Sequence, residues 1–100
     1  MDELNVALVI TQEQGRPRCS IRGEIDMATA PTVGKALASF IEIGETAIDL
    51  DLSEVDFLDS RGITELVIAH RHGLRISIVA ASPAVKRTLD IAGIDGLLEH

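Results

Sequence analysis

The sequence predicts an α/β fold, a two-layer domain in which a mixed four-stranded sheet, built in the order β-β-α-β-α-β-α, carries its helices on one face. Three features point to it. Two β-rich runs flank the turn residues Gln14-Gly15-Arg16-Pro17, which makes an antiparallel hairpin. Beyond the hairpin, helical and strand periods alternate, and strands separated by single helices require parallel, right-handed crossovers. The run Ile48 to Leu52 turns Ile48, Leu50 and Leu52 to one side and Asp49 and Asp51 to the other. A sheet covered on both faces would not take two aspartates there, so one face is open and the helices share the other.

Each element follows from local chemistry. Leu4 to Thr11 is apolar and β-branched, and Pro17 to Gly23 alternates. The first helix has Thr29 as its N-cap, Pro31 in its first turn, and Val33, Leu37, Phe40 and Ile41 on one stripe before Gly44 ends it. After the Ile48–Leu52 strand, Ser53-Glu54-Val55-Asp56 reads as a loop. A second helix places Ile63, Leu66 and Val67 on one stripe and ends near Gly73. Arg75 to Ala80 alternates as the last strand. Ser82-Pro83 is an N-cap followed by proline at the first helical position, and that helix turns Val85 and Leu89 inward and stops at Gly93. The tail Ile94 to Leu98 is apolar enough to pack back on the domain.

Composition bounds the function. One hundred residues make one domain, and 46% hydrophobic content supplies an aliphatic core without disulfides or a structural metal. No run approaches the roughly 18–20 apolar residues of a bilayer span. The acidic start Met1-Asp2-Glu3 is unlike a secretory signal, which points to a cytoplasmic domain. A net charge of −7 repels phosphate backbones and anionic lipid, and Phe40 and Phe57 are the only aromatic residues, so neither nucleic acid nor a membrane is expected as partner. Cys19 lies in a strand-like run without a second cysteine and reads as a buried, inert thiol.

Most chemical constellations fail on spacing. His70 and His72 are two apart, which points them away from each other on a helix, and they read as solvated residues at a helix C-terminus. No glycine-rich phosphate loop or nucleophile elbow is present, and no cofactor is expected. Asp49, Asp51, Glu54, Asp56 and Asp59 are five carboxylates within eleven residues, yet they fall on different sides of a strand and its exit, so they read as a solvated acidic face and not a metal site. The strongest local signal is Asp59-Ser60-Arg61-Gly62, where a strand ends and a helix opens. Ser60 falls at or beside the N-cap, where unpaired helix amides favour negative charge. A phosphate would be tolerated at that position, but local chemistry alone favours an ordinary capping serine, because caps are common and switches rare.

The run Asp51-Leu52-Ser53-Glu54-Val55-Asp56-Phe57-Leu58-Asp59-Ser60-Arg61-Gly62-Ile63 resembles the signature of the STAS domain family (sulfate transporter and anti-sigma factor antagonist). Gly23-Glu24-Ile25-Asp26 with Thr29-Ala30-Pro31 is similar to the family's loop into its first helix. Ser82-Pro83-Ala84-Val85-Lys86-Arg87 through Leu89, with Ala92-Gly93-Ile94, is similar to its last helix and tail. The resemblance implies a single STAS domain over residues 1–100, acting not as an enzyme but as an anti-sigma factor antagonist. It implies that Ser60 is phosphorylated by an ATP-bound anti-sigma factor serine kinase and reset by a phosphatase. It maps the partner surface to Glu24, Ile25, Asp26, Asp59, Arg61, Gly62 and Ile63. Arg61 stands where the family usually has a small residue. Other members of the family serve as a constitutive subunit on the ATPase of a lipid transporter or as a stressosome-like scaffold, and these are the competing readings.

Overall fold

The computed structural model describes residues 6–94. Leu4, Asn5 and the tail from Asp95 to Leu98 lie outside the described residues. Seven elements follow in the expected order: β1 (Val6–Glu13), β2 (Arg16–Ile25), α1 (Ala30–Glu42), β3 (Ala47–Leu58), α2 (Ser60–Arg71), β4 (Arg75–Ala81) and α3 (Pro83–Ala92). The sheet runs β1-β2-β3-β4, with β1 and β2 antiparallel and the other neighbours parallel.

The hairpin is tighter than the turn residues suggest. Glu13 faces Arg16 across a loop of Gln14 and Gly15 alone, both at positive φ (56° and 81°), the type I′ geometry that suits the twist of the strands. Pro17 therefore lies inside β2. Its missing N–H faces away from β1, ahead of Arg18, where pairing with β3 begins.

The expected loop at Ser53–Asp56 is strand instead. β3 continues to Leu58 and pairs Val55 with Gly23, Phe57 with Glu24 and Leu58 with Ile25. Register shifts at Ser20/Arg22 and Gly23/Glu24 each give β3 an extra residue. These bulges convert the two-residue period into a three-residue one, so Leu52, Val55 and Leu58 are buried while pairs of exposed residues stand between them.

One core lies between sheet and helices. Cys19, Ile21 and Ile25 of β2, Ile48, Leu50, Leu52, Val55 and Leu58 of β3 and Ile76 of β4 pack with Val33, Leu37 and Phe40 of α1, Leu66 and Ala69 of α2, and Val85 and Leu89 of α3. The α2 stripe is one residue away from expectation. Gly62, Leu66 and Ala69 are buried, while Ile63 and Val67 flank them half-buried. Ser82 caps α3 as expected: its hydroxyl accepts from the Val85 N–H at 3.3 Å and donates to the Val55 carbonyl at 2.7 Å, tying the helix to β3. Gly93 ends α3 in the left-handed region, and Ile94 packs against the core.

The opposite sheet face is open, but it is not simply solvated. Asp49, expected to face water, keeps only 13% of its side chain exposed because Arg16 (2.8 Å) and Arg18 (3.9 Å) close over it. Arg22 and Glu54 pair at 2.7 Å nearby. A ladder of opposite charges across neighbouring strands thus replaces the acidic face that composition suggests.

Candidate functional site

The site is built where β2 and β3 end side by side. Ile25 and Leu58 are register partners, and the Asp59 N–H donates to the Ile25 carbonyl at 3.0 Å. The entry to α2 is thereby anchored to the last residue of β2. Asp59 is extended (φ −102°, ψ −175°), and its carboxylate accepts from the Arg61 N–H at 2.9 Å and the Gly62 N–H at 3.2 Å. Asp59 is therefore the N-cap, and Ser60 stands one residue on, exposed, as the first residue of the helix. A carboxylate caps well because it satisfies the free amides and also opposes the positive end of the helix dipole. This leaves the Ser60 hydroxyl outside the cap and facing solvent.

The neighbouring loop is held by a second aspartate. Asp26 accepts from the N–H groups of Ala28 (3.0 Å) and Thr29 (3.1 Å). Thr29 occupies the N-cap position of α1 without capping by its side chain. Its buried hydroxyl turns back, donating to the Glu24 carbonyl at 2.7 Å and accepting from the Asp26 N–H at 2.8 Å. The expected cap is thus a brace for residues 24–29, and the Asp26 carboxylate caps the turn that leads into α1.

Two residues expected on the partner surface lie beneath it. Ile25 is buried, and so is Gly62, whose Cα approaches the sheet so closely that an added Cβ would meet Leu58 Cδ1 at 2.5 Å and Ile25 Cγ2 at 2.6 Å. They position the patch; they do not form its outer face. Ser60 and Arg61 are exposed, while Glu24, Asp26, Asp59 and Ile63 are half-buried. Reasoning from sequence missed two apolar residues at the same end, Met27 (65% exposed) and Phe57 (50% exposed). Phe57 is paired with Glu24, and Met27 follows Asp26 directly. Their nearness in sequence to the Asp26 and Asp59 caps was the available signal.

The five clustered carboxylates do separate work. Asp49 holds two arginines, Asp51 accepts from the Ser53 N–H at 2.9 Å, Glu54 pairs with Arg22, Asp56 is exposed and Asp59 caps α2. The Ser53 hydrogen bonds hold the Asp51 carboxyl below its usual range. No group of three or more metal-binding side chains converges among the described residues. The two histidines differ: His72 is exposed with Nδ1 2.8 Å from the Ile68 carbonyl, and His70 is half-buried. Cys19 is fully buried, and loss of hydration pushes its thiol up to about 11, so it offers no nucleophile near neutrality.

A family model described as Mlab, STAS domain matches residues 9–99. The chain belongs to the STAS domain family. Its mixed sheet and three helices match the STAS fold, and no helix among the described residues is long and apolar enough to cross a membrane. The chain is 28% identical over 94 residues to an anti-sigma-F factor antagonist, RsfB, of Mycobacterium tuberculosis, covering 91% of this chain and 77% of that protein. A crystal structure of an anti-sigma factor antagonist from Mycobacterium paratuberculosis is similar with a TM-score of 0.79 and 30% identity, over 92% of this chain and 81% of that one. The unphosphorylated form of the anti-sigma factor antagonist SpoIIAA shares the fold, with a TM-score of 0.75 at 18% identity over 90% and 84% of the two chains.

Proposed function

We propose that this STAS domain is a cytoplasmic, non-enzymatic anti-sigma factor antagonist that acts by partner switching, with Ser60 as the switch residue. Unphosphorylated, it binds an ATP-bound anti-sigma factor serine kinase and so frees the sigma factor. Phosphorylation of Ser60 by that kinase ends the interaction, and a phosphatase restores it. The observation that carries the reading is the exposed Ser60 as the first residue of α2, with its capping work already done by Asp59.

The mechanism is electrostatic. A phosphate adds roughly −1.5 to −2 charges at neutral pH. It would stand beside the carboxylates of Asp59, Asp26 and Glu24 on the proposed contact surface, and would turn a mixed apolar and acidic patch strongly negative. The amides and dipole of the α2 N-terminus tolerate that charge, so the helix survives while the partner's complementary surface is repelled. Arg61, next in the helix, offers a guanidinium within reach of a phosphate. A change of ~3 kcal/mol is enough for a hundredfold loss of affinity. Met27, Phe57 and Ile63 supply apolar contact area around the switch.

The test is capture of partners from source lysate by wild type, Ser60→Ala and Ser60→Asp, followed by incubation of the captured kinase with ATP. Wild type and Ser60→Ala should retain an ATP-binding anti-sigma factor kinase, and Ser60→Asp should not. Wild type alone should gain one phosphate by intact mass. Equal capture of one partner by all three variants would overturn the switch and leave a constitutive subunit, as in a lipid transporter or a scaffold.

A further inference from the structure

The outer edge of β1 is the least protected surface of the sheet. Sheet edges are ordinarily blunted by lysine, proline, a bulge or a covering element. β4, the other edge, carries Arg75 and is bulged, because Ile78 pairs with Leu50 and Ala80 with Asp51, leaving Val79 extra. Among the described residues β1 has none of these devices. It runs for eight residues in unbroken register with β2, and its sole charge is Glu13 at the end. Among the described residues no element covers it. Val9 (58% exposed, open face) and Ile10 (55% exposed, helix face) stand at its middle.

The tight hairpin decides which backbone groups are free. The residues flanking a two-residue loop form a hydrogen-bonded pair, so Glu13, Thr11, Val9 and Ala7 turn their N–H and C=O toward β2. Val6, Leu8, Ile10 and Gln12 turn theirs to the free edge. Backbone groups in that spacing accept an extended strand and little else.

We propose that the strand is β1 of a second copy, joined antiparallel about a two-fold axis at Val9. The sequence of the edge favours this occupant. Opposed residues in an antiparallel pair share a face, so only registers that match even with even numbers keep core side against core side. Centring on Val9 places Leu8 against the partner's Ile10 and Ala7 against the partner's Thr11. Val6 then meets the partner's Gln12, with the free donors and acceptors in hydrogen-bonded pairs. The stretch Val6–Gln12 that pairs contains no charge, although each chain carries −7. Two four-stranded sheets become one continuous sheet. A single strand edge buries area at the small end of specific interfaces, which makes the dimer a reversible one.

Sedimentation velocity from about 10 μM to about 1 mM should show a reversible dimer that strengthens with salt, as screening relieves repulsion between like-charged copies. Val9→Lys, at an exposed position, should weaken it at least tenfold with an unchanged far-ultraviolet spectrum. The register gives a sharper readout. A Val9→Cys variant puts two thiols across a non-hydrogen-bonded pair, with Cα atoms about 4.5 Å apart, and should oxidise to a crosslinked dimer. Thr11→Cys is two residues off the axis on each strand, which sets the two thiols four residues apart, and should not. The buried Cys19 stays out of the reaction. A monomer at every concentration, a dimer indifferent to Val9→Lys, or crosslinking of Thr11→Cys as fast as Val9→Cys would each overturn the proposal.

Discussion

Gly62→Ala is the substitution that most directly tests how the site is held together. On propensity alone the change should stabilise, because alanine exceeds glycine in a helix by ~0.8–1.0 kcal/mol and a buried methyl adds ~0.8 kcal/mol. The packing opposes it. The new Cβ would stand 2.5 Å from Leu58 Cδ1 and 2.6 Å from Ile25 Cγ2, whereas carbon contacts settle at about 3.5–4.0 Å. Each neighbour must retreat by about 1 Å. Leu58 Cδ1 is the tip of a flexible side chain and can yield. Ile25 Cγ2 is on a branched Cβ with a stiff rotamer, in a buried residue whose carbonyl receives the Asp59 N–H. The strain therefore passes to the backbone that joins β2 to α2, and overpacking of this kind costs ~1–3 kcal/mol. With two contacts this short the strain falls at the top of that range and exceeds the combined gain, so the expected net outcome is a loss of about 1 kcal/mol, read as a lower urea midpoint with an unchanged slope. A double-mutant cycle isolates the cause. Ile25→Ala alone should cost ~2–5 kcal/mol, and Gly62→Ala added to it should cost little, because the Cγ2 that carries the strain is gone and Leu58 Cδ1 can yield. Equal or higher stability for Gly62→Ala, or strict additivity in the cycle, would refute the close-approach argument.

Two further outcomes follow from the same region and the core. Asp59→Ala should lose ~1 kcal/mol or somewhat more through the two capping bonds, while Asp59→Asn keeps the acceptor and should lose only ~0.3–1 kcal/mol of dipole interaction, as measured by urea unfolding. Cys19 should resist a thiol-specific disulfide reagent at pH 8 in the native protein and react fully once urea unfolds the chain. The burial that pushes the thiol up to about 11 also sets a sign for stability. The folded state holds this proton more tightly than the unfolded state, so the contribution is intact below the ordinary thiol value and falls as pH rises toward 11. Native-state modification of Cys19 at the rate of a free thiol would contradict its placement in the core.

Rules that act within a few residues are legible in the sequence alone. Ser82-Pro83 at the start of α3 and Gly93 at its end each act through adjacent backbone groups, and both hold. The alternation of Ile48 to Leu52 announces an open sheet face because side-chain direction in a strand has period two. The second half of β3 is illegible for the same reason. Its two bulges break that period, and a bulge is defined by the partner strand, which local sequence does not contain. Thr29 shows the same limit. Its sequence context suits an N-cap, yet its hydroxyl is recruited by the Glu24 carbonyl and the Asp26 N–H once the loop folds over it.

The element order, the sheet's single open face, the buried thiol and the family resemblance that singles out Ser60 are all written in the linear chain, since they rest on periodicity, capping chemistry and motif order. Which residues of the site face outward is settled by contacts between distant segments. Ile25 and Gly62 sink because the Ile25 and Leu58 side chains pack directly against the Gly62 backbone, and Met27 and Phe57 emerge because loop and bulge turn them from the core. Asp49 passes from a solvated carboxylate to an arginine-clasped one for a related reason: its partners, Arg16 and Arg18, are neighbours across a strand pair and lie more than thirty positions away along the chain.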